Sequence, residues 1–218
     1  MAGDPTIPRV GHFVWLGESL SAIAWLAIRS ALARSNLDRI YLHYGDEVLR
    51  DERSVQALVG LDGFELRRID ENTVFDAADT PDLSQERLHR LQHIYRLVES
   101  PAIRADILRL LILLREGGIY LDADAITMRP LTSLCEDRGF AGLERICLPA
   151  RVRDSRNPAR WARAGVLIAL REGLSRVPAG ERIFARIERL YELACNNAVI
   201  GATPSHPTII TALIVASE

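Results

Sequence analysis

Residues 104–130 read RADILRLLILLREGGIYLDADAITMRP, and the way this stretch folds decides the architecture of the chain. From Ala105 to Glu116 it is almost unbroken Leu and Ile, with Asp106 and Arg109 set into it. Apolar residues fall on every face of a 3.6-residue period, which predicts a helix buried on most sides. Gly117 and Gly118 end that helix, one of them as a left-handed C-cap. The segment IYLDADAIT that follows has the β-branched and aromatic content of a strand. Residues two apart on a strand point to one face, so a strand here would project Asp122 and Asp124 together. Two adjacent carboxylates repel, and beside a buried helix they are costly unless a cation lies between them. Hard divalent ions with oxygen ligands, Mg²⁺ or Mn²⁺, suit such a pair. The bland alternative is a strand that stops there with both carboxylates solvated. A bare Asp-x-Asp triplet favours that alternative; the buried helix, Gly-Gly stop, apolar strand and Asp pair taken together favour a site.

Upstream of this core, Ile7-Pro8 introduces RVGHFVWLG, a compact apolar run that reads as a buried first strand ending at Gly17. Ser19 or Ser21 can cap a helix through SLSAIAWLAIRSALARS, whose apolar spacing is helical. Asn36 to Asp38 turn the chain into a second strand, RIYLHYG. Strand, helix, strand in this order predicts a right-handed crossover onto a parallel sheet. A short helix near Ser54 to Leu61 precedes a third strand over Phe64 to Ile69, and Asp70 to Ser84 reads as a long loop. Gln85 to Ser100 is again helical in pattern, and Pro101 separates it from the central helix. Downstream, Phe140 to Glu144 suggests a further strand, Val152 to Pro158 is an Arg- and Asp-rich stretch with no clear period, and Arg160 to Arg176 is less readable. Glu181 to Cys195 reads as an amphipathic helix, leading to a short strand, a loop and a last apolar helix.

Composition narrows the function classes. The 218 residues are 48% hydrophobic and 26% charged, the profile of a globular chain. A net charge of −2 gives no overall basic field for nucleic acid or an anionic membrane. All 27 basic residues are arginine, which reads as genome composition. Cys135, Cys147 and Cys195 are odd in number, widely spaced and without a zinc pattern, so a reducing cytoplasm is expected. No signal peptide is visible, and no apolar run reaches the roughly 18 residues of a membrane span. Neither a P-loop, a Gly-x-Gly-x-x-Gly, a Gly-x-Ser-x-Gly nor a His-Glu-x-x-His is present.

Three blocks, IPRVGHFVWLG over residues 7–17, the stretch 104–130 and NAVIGATPSHP over residues 197–207, carry a resemblance. The chain resembles the glycosyltransferases with a DXD-containing sugar-binding region, which include fungal α-1,6-mannosyltransferases, bacterial capsule and glycolipid transferases and the large clostridial glucosylating toxins. The resemblance implies a single α/β domain over residues 1–218, GT-A-like (Rossmann-like), with a mixed, mostly parallel sheet flanked by helices. It implies a UDP- or GDP-sugar donor whose diphosphate is bridged by Mn²⁺ or Mg²⁺, transfer with retention of configuration, and a saccharide, lipid or protein acceptor. Carried over by motif, Trp15 would stack on the nucleobase and Val14 would border it. Asp106 and Arg109 would hold the sugar and neighbouring donor groups. Asp122 would reach the ribose or a metal-bound water, and Asp124 would ligate the metal. Asn197 would approach the donor sugar or the reaction centre.

Members of this family usually continue past the third block with further elements, some supplying another ligand, whereas this sequence reaches Glu218 in an apolar helix that a second subunit could cover. A catalytically silent or partner-dependent nucleotide-sugar-binding domain is therefore the competing reading. A different metal-dependent enzyme of phosphate esters would share the Asp pair without explaining Trp15. Each residue also has a structural reading: Asp106 and Arg109 as a helix ion pair, Trp15 and Tyr120 as packing, His12 as a satisfied buried histidine, and Arg151, Arg153 and Arg156 as a solvated loop.

Overall fold

The computed structural model describes residues 5–45, 49, 53–76 and 83–218. The chain enters through β1 (Val10–Trp15), α1 (Ala22–Arg34) and β2 (Arg39–Tyr44), followed by α2 (Arg53–Val59) and β3 (Phe64–Arg68). Three helices then lead to the centre: α3 (Glu71–Asp76), α4 (Gln85–Leu97) and α5 (Pro101–Glu116), the last running into β4 (Gly118–Leu121). Beyond them lie β5 (Gly139–Ile146), α6 (Ala150–Arg153), α7 (Pro158–Ser175), α8 (Gly180–Ile187), β6 (Glu192–Ala202) and α9 (Pro207–Ala216). Two compact units result, Met1–Ala141 with Ala198–Glu218 and, between them in sequence, Gly142–Asn197.

The sheet has the strand order β3-β2-β1-β4-β6-β5. β1 runs parallel to β2 and to β4, β2 runs parallel to β3, and β6 lies antiparallel to β4. This is the mixed, mostly parallel sheet that the sequence implies. Within the first unit both faces of the sheet are covered. On one face, Val14 and Tyr120 pack against Leu108, Leu111 and Ile112 of α5 and Leu213 of α9. On the other, Phe13, Leu42 and Ile119 meet Ala24, Ala27, Ile28 and Ala31 of α1. The helix α1 starts as its sequence predicts: the Ser21 hydroxyl accepts from the Ala24 amide at 3.2 Å.

The helix α5 is the axis of the first cluster. Pro101 occupies its first turn, where a missing N–H costs nothing, and Leu108, Leu111, Ile112, Leu113 and Leu114 are buried. Each such side chain contributes about 1.5–3 kcal/mol relative to exposure. Gly117 closes the helix with φ 65°, its N–H bonding to Leu113 O at 3.0 Å, and Gly118 follows with φ 97°. A Cβ on Gly117 would lie 2.7 Å from Pro204 Cδ, and one on Gly118 2.7 Å from Val10 Cγ2. Both glycines are therefore fixed by backbone conformation and by close approach together.

Three expectations are corrected. The Asp70–Ser84 loop contains α3, held by buried Val74 and Phe75, while residues 77–82 lie outside the described set. Helix α8 ends at Ile187, and Glu192–Cys195, expected as helix, open β6. A short apolar run fits either period, and pairing with a strand distant in sequence outweighs helix propensity there. The unreadable stretch after Arg156 is α7, capped by Asn157, whose side chain accepts from Ala159 N at 2.9 Å. Its only buried residue is Ala164, so no single apolar stripe marks it in the sequence.

Candidate functional site

In an open α/β sheet, ligands enter the crevice at the carboxyl ends of the strands, where successive connections go to opposite sides. Here that point lies between β1, whose neighbours are β2 and β4, and β4 itself. Val14 and Trp15 end β1, and Asp122 directly follows β4. The register pairs His12 with Tyr120, so two residues further on Val14 comes level with Asp122.

The strand argument for the Asp pair needs correcting. β4 stops at Leu121, and Asp122 to Ala125 form a turn closed by Ala125 N donating to Asp122 O at 2.9 Å. Asp122 and Asp124 are therefore not two residues of one strand face. Asp122 is half-buried and Asp124 exposed. The ladder to β6 fixes this ending: Leu121 pairs with Val199, and the Asp122 amide donates to Ala198 O at 2.8 Å. The turn is anchored further along, where the Thr127 amide donates to Ser30 Oγ at 2.9 Å.

Arg109 organises the carboxylates. Its side chain, 7% exposed, reaches up from α5, pairs with Asp106 and places Nη1 3.3 Å from Asp122 Oδ1. The guanidinium also lies 4.5 Å from the centre of the Tyr120 ring, an orientation that favours a cation over an aromatic face. Tyr120 is also close enough to Asp122 for each to perturb the other's ionisation. Burial raises the Asp122 carboxyl above its ordinary range; Asp124 and Asp106 add to the rise, and Arg109 and Tyr120 oppose it. Burial likewise raises the Tyr120 phenol well above its usual value, so it remains a donor.

Asp106 and Arg109 thus do form a helix pair, as the structural reading has it, and the pair extends to Asp122. Asp106 is 46% exposed, so the pair with Arg109 reaches the surface at this end. Tyr120 was legible only as packing, and its place beneath Arg109 depends on how α5 crosses β4. Trp15 is half-buried against the opposite cluster, and its indole Nε1 donates to Ser19 O at 2.9 Å, which fixes the ring plane. Val14 is buried. Asn197 lies on β6 immediately before Ala198, at the end of the second unit.

Three carboxylates with a single guanidinium leave the cluster with formal negative charge. Among the described residues no group of three or more side chains forms a ready-made metal cage. A hard ion that takes one or two protein carboxylates and completes its shell with phosphate oxygens and water fits Asp122 and Asp124; a fully protein-ligated ion does not.

His12 is a satisfied buried histidine. Its Nε2 lies 2.9 Å from Gly117 O and its Nδ1 3.0 Å from His43 Nε2. A carbonyl only accepts, so His12 Nε2 carries the proton and His43 Nε2–H donates to His12 Nδ1. Burial lowers the His12 pKa to about 4 and holds His43 well below its ordinary value.

Residues 28–141 match the family model described as the glycosyltransferase sugar-binding region containing a DXD motif. No curated protein matches the chain in sequence. Among solved structures the chain is similar to the PaToxG glycosyltransferase, at 19% identity and a TM-score of 0.54 over 97% of this chain and 61% of that one. It is similar to the ligand-free glycosyltransferase domain of the YGT toxin, at 11% identity and a TM-score of 0.50 over 97% and 63%. A transferase carrying two cysteine-to-serine substitutions aligns at 13% identity and a TM-score of 0.54, over 97% of this chain and 79% of that one. The chain therefore spans a little over three fifths of the length of the two toxin domains it matches.

Proposed function

Because this chain belongs to the glycosyltransferase family whose sugar-binding region contains a DXD motif, and has its GT-A-like α/β fold, we propose that it moves a sugar from a nucleotide-sugar donor, a UDP- or GDP-sugar, to a saccharide, lipid or protein acceptor. The whole described chain acts as one such domain in this reading, with retention of configuration at the transferred sugar. The observation that carries it is the Arg109-centred cluster, which gathers Asp106, Asp122 and Tyr120 at the carboxyl end of β4 next to the end of β1.

The roles follow from chemistry. Trp15 is held at the mouth of the crevice by its bond to Ser19 O, ready to take a nucleobase on its face, with Val14 beside it. Arg109 is oriented on two carboxylates and a ring, so it meets the donor without reorganising. Asp106 accepts from sugar hydroxyls. Asp122, pinned through its amide, reaches the ribose or a metal-bound water, and Asp124 ligates the metal. Asn197 approaches the donor sugar or the reaction centre. A bound Mn²⁺ or Mg²⁺ supplies positive charge against the diphosphate that leaves.

The test is thermal stability against a panel of nucleotides and nucleotide sugars, each with Mn²⁺, with Mg²⁺ and with chelator. A donor at 100 times its Kd should add about 2.7 kcal/mol, several degrees for a chain of this length. Asp124→Asn should remove the metal-dependent part of that shift while leaving the unliganded melting point within about 1 °C, because the side chain is exposed. A variant that keeps the same metal-dependent shift overturns the assignment. Donor binding without transfer in any acceptor mixture assigns the chain to the silent or partner-dependent reading instead.

A further inference from the structure

The net charge of −2 conceals a division. The second unit, Gly142–Asn197, holds eleven arginines and six carboxylates, a net of +5, which leaves −7 on the rest of the chain. Three of these arginines converge. Arg151, Arg160 and Arg163 line one cavity of about 150 Å³ whose walls include Val152 and Leu167. The one carboxylate there, Glu192, is engaged by Arg151 as an ion contact without hydrogen-bond alignment. Arg160 donates from Nη1 to the backbone carbonyl of Arg151 at 3.3 Å, which holds the Arg160 guanidinium beside the segment that carries Arg151. A cavity of this size with cations at its edge accommodates a phosphate.

The helix that carries Arg160 and Arg163 is also unusually apolar for its exposure. Along α7, Trp161, Val166, Ile168 and Leu170 are 43%, 63%, 39% and 40% exposed. Val166 and Leu170 follow Arg163 by three and seven residues, so they share its helix face, whereas Trp161 and Ile168 lie on the opposite side of the helix. A free phosphate has no use for exposed aliphatic side chains, and a phosphate backbone of nucleic acid has little. An anionic bilayer matches both halves of the pattern. Its headgroups attract arginines, and the acyl boundary accepts Val166 and Leu170 from a surface-lying helix.

We propose that the second unit is a docking surface for an anionic phospholipid membrane, with the Arg151–Arg160–Arg163 cavity receiving a headgroup phosphate and α7 lying against the lipid. This goes beyond the donor chemistry and does not rest on it.

Sedimentation of the purified chain with phosphatidylcholine vesicles, with and without phosphatidylglycerol, tests it. Binding is expected to the anionic vesicles alone and to weaken as salt rises. Each arginine removed near the surface should lower partitioning about fivefold at low salt, so Arg160→Ala with Arg163→Ala should lower it roughly 30-fold. Val166→Ser is an independent variant and should weaken binding even where salt has screened the charges. All three side chains are exposed, so unchanged melting curves are expected and are measured alongside. Equal sedimentation with neutral vesicles, binding indifferent to both variants, or equally tight binding of soluble glycerol phosphate would each overturn the proposal. A salt-sensitive dimer that the double variant dissociates would also overturn it, by assigning the basic face to a second copy of the chain.

Discussion

One face of the β1–β4 pair holds two buried polar clusters a few residues apart, and they solve the same problem in opposite ways. Around His12, burial is met by neutrality: an imidazole donates to a backbone carbonyl, a second imidazole donates to the first, and both resist protonation. Around Arg109, burial is met by charge pairing, with two carboxylates and an aromatic ring about one guanidinium. The first cluster is closed, since every ring nitrogen of His12 has a partner within the protein. The second is open, because Asp122 is half-buried, Asp124 is exposed and three carboxylates share one guanidinium, which leaves a surplus of negative charge. A closed neutral cluster fixes the strand register; an open charged one can take a ligand. The proposed chemistry fits the carboxyl end of the strands, and the structural role falls to His12.

The contrast is broken most strongly by removing its cation. Arg109→Met keeps most of the side-chain volume on α5 but leaves Asp122 half-buried beside Tyr120 and two like charges. Breaking a buried ion pair costs 3–5 kcal/mol, and because Asp122 is 28% exposed the lower end applies, about 3 kcal/mol. For a chain of this length the melting point should fall by roughly 6–12 °C. The double variant Arg109→Met with Asp122→Asn should recover a large share of that loss, since no buried charge remains. A double variant no more stable than Arg109→Met would mean that packing of the Arg109 stem, and not its charge, holds the cluster.

The fold was legible where a local rule and a tertiary need coincide. β1, α1 and β2 show their own periods, Ser21 caps where a cap is needed, and Gly117-Gly118 marks a turn that no side chain could occupy. The residues of the proposed site stood out in the sequence by type, while their geometry did not. Asp122 and Asp124 look like strand neighbours because IYLDADAIT is uniformly strand-like, yet the strand's end is set by β6, distant in sequence. The Arg109–Tyr120–Asp122 contact is invisible for the same reason, since it depends on the crossing of α5 over β4. The helix α7 shows the reverse case. With apolar residues on several exposed faces it has no buried stripe to read, so periodicity has nothing to report.

The neutral cluster is tested by acid. The folded pKa of His12, about 4, lies below the 6.5 of a free imidazole, so between these values the unfolded chain binds more protons than the folded one. The stabilisation from a neutral His12 is thus fully present above pH 6.5 and is lost as pH falls toward 4, by about 3 kcal/mol in total. His43, shifted in the same direction, steepens the loss. Denaturant unfolding at a series of pH values should show this slope, and His12→Gln, which keeps a donor for Gly117 O without a titrating ring, should flatten it. A slope unchanged in His12→Gln would place the acid sensitivity elsewhere and remove the neutral half of the comparison.

The smallest expected effect concerns the other side of the sheet. Trp15 ends β1 next to Val14 but packs toward the α1 cluster, so it stands apart from the Arg109 group while sharing its mouth. If its ring takes a nucleobase, Trp15→Ala should weaken nucleotide binding by about 1–2 kcal/mol, roughly 5- to 30-fold, whatever sugar the donor carries. The same change should leave the metal requirement untouched, because metal and base would be held by different strands. Titration of the nucleotide and of the full donor, each with and without metal, separates the two. Equal losses for both ligands at every metal concentration assign Trp15 to the base. An affinity indifferent to the substitution returns it to the packing of α1, and the ligand-binding half of the face then rests on the carboxylates and Arg109 alone.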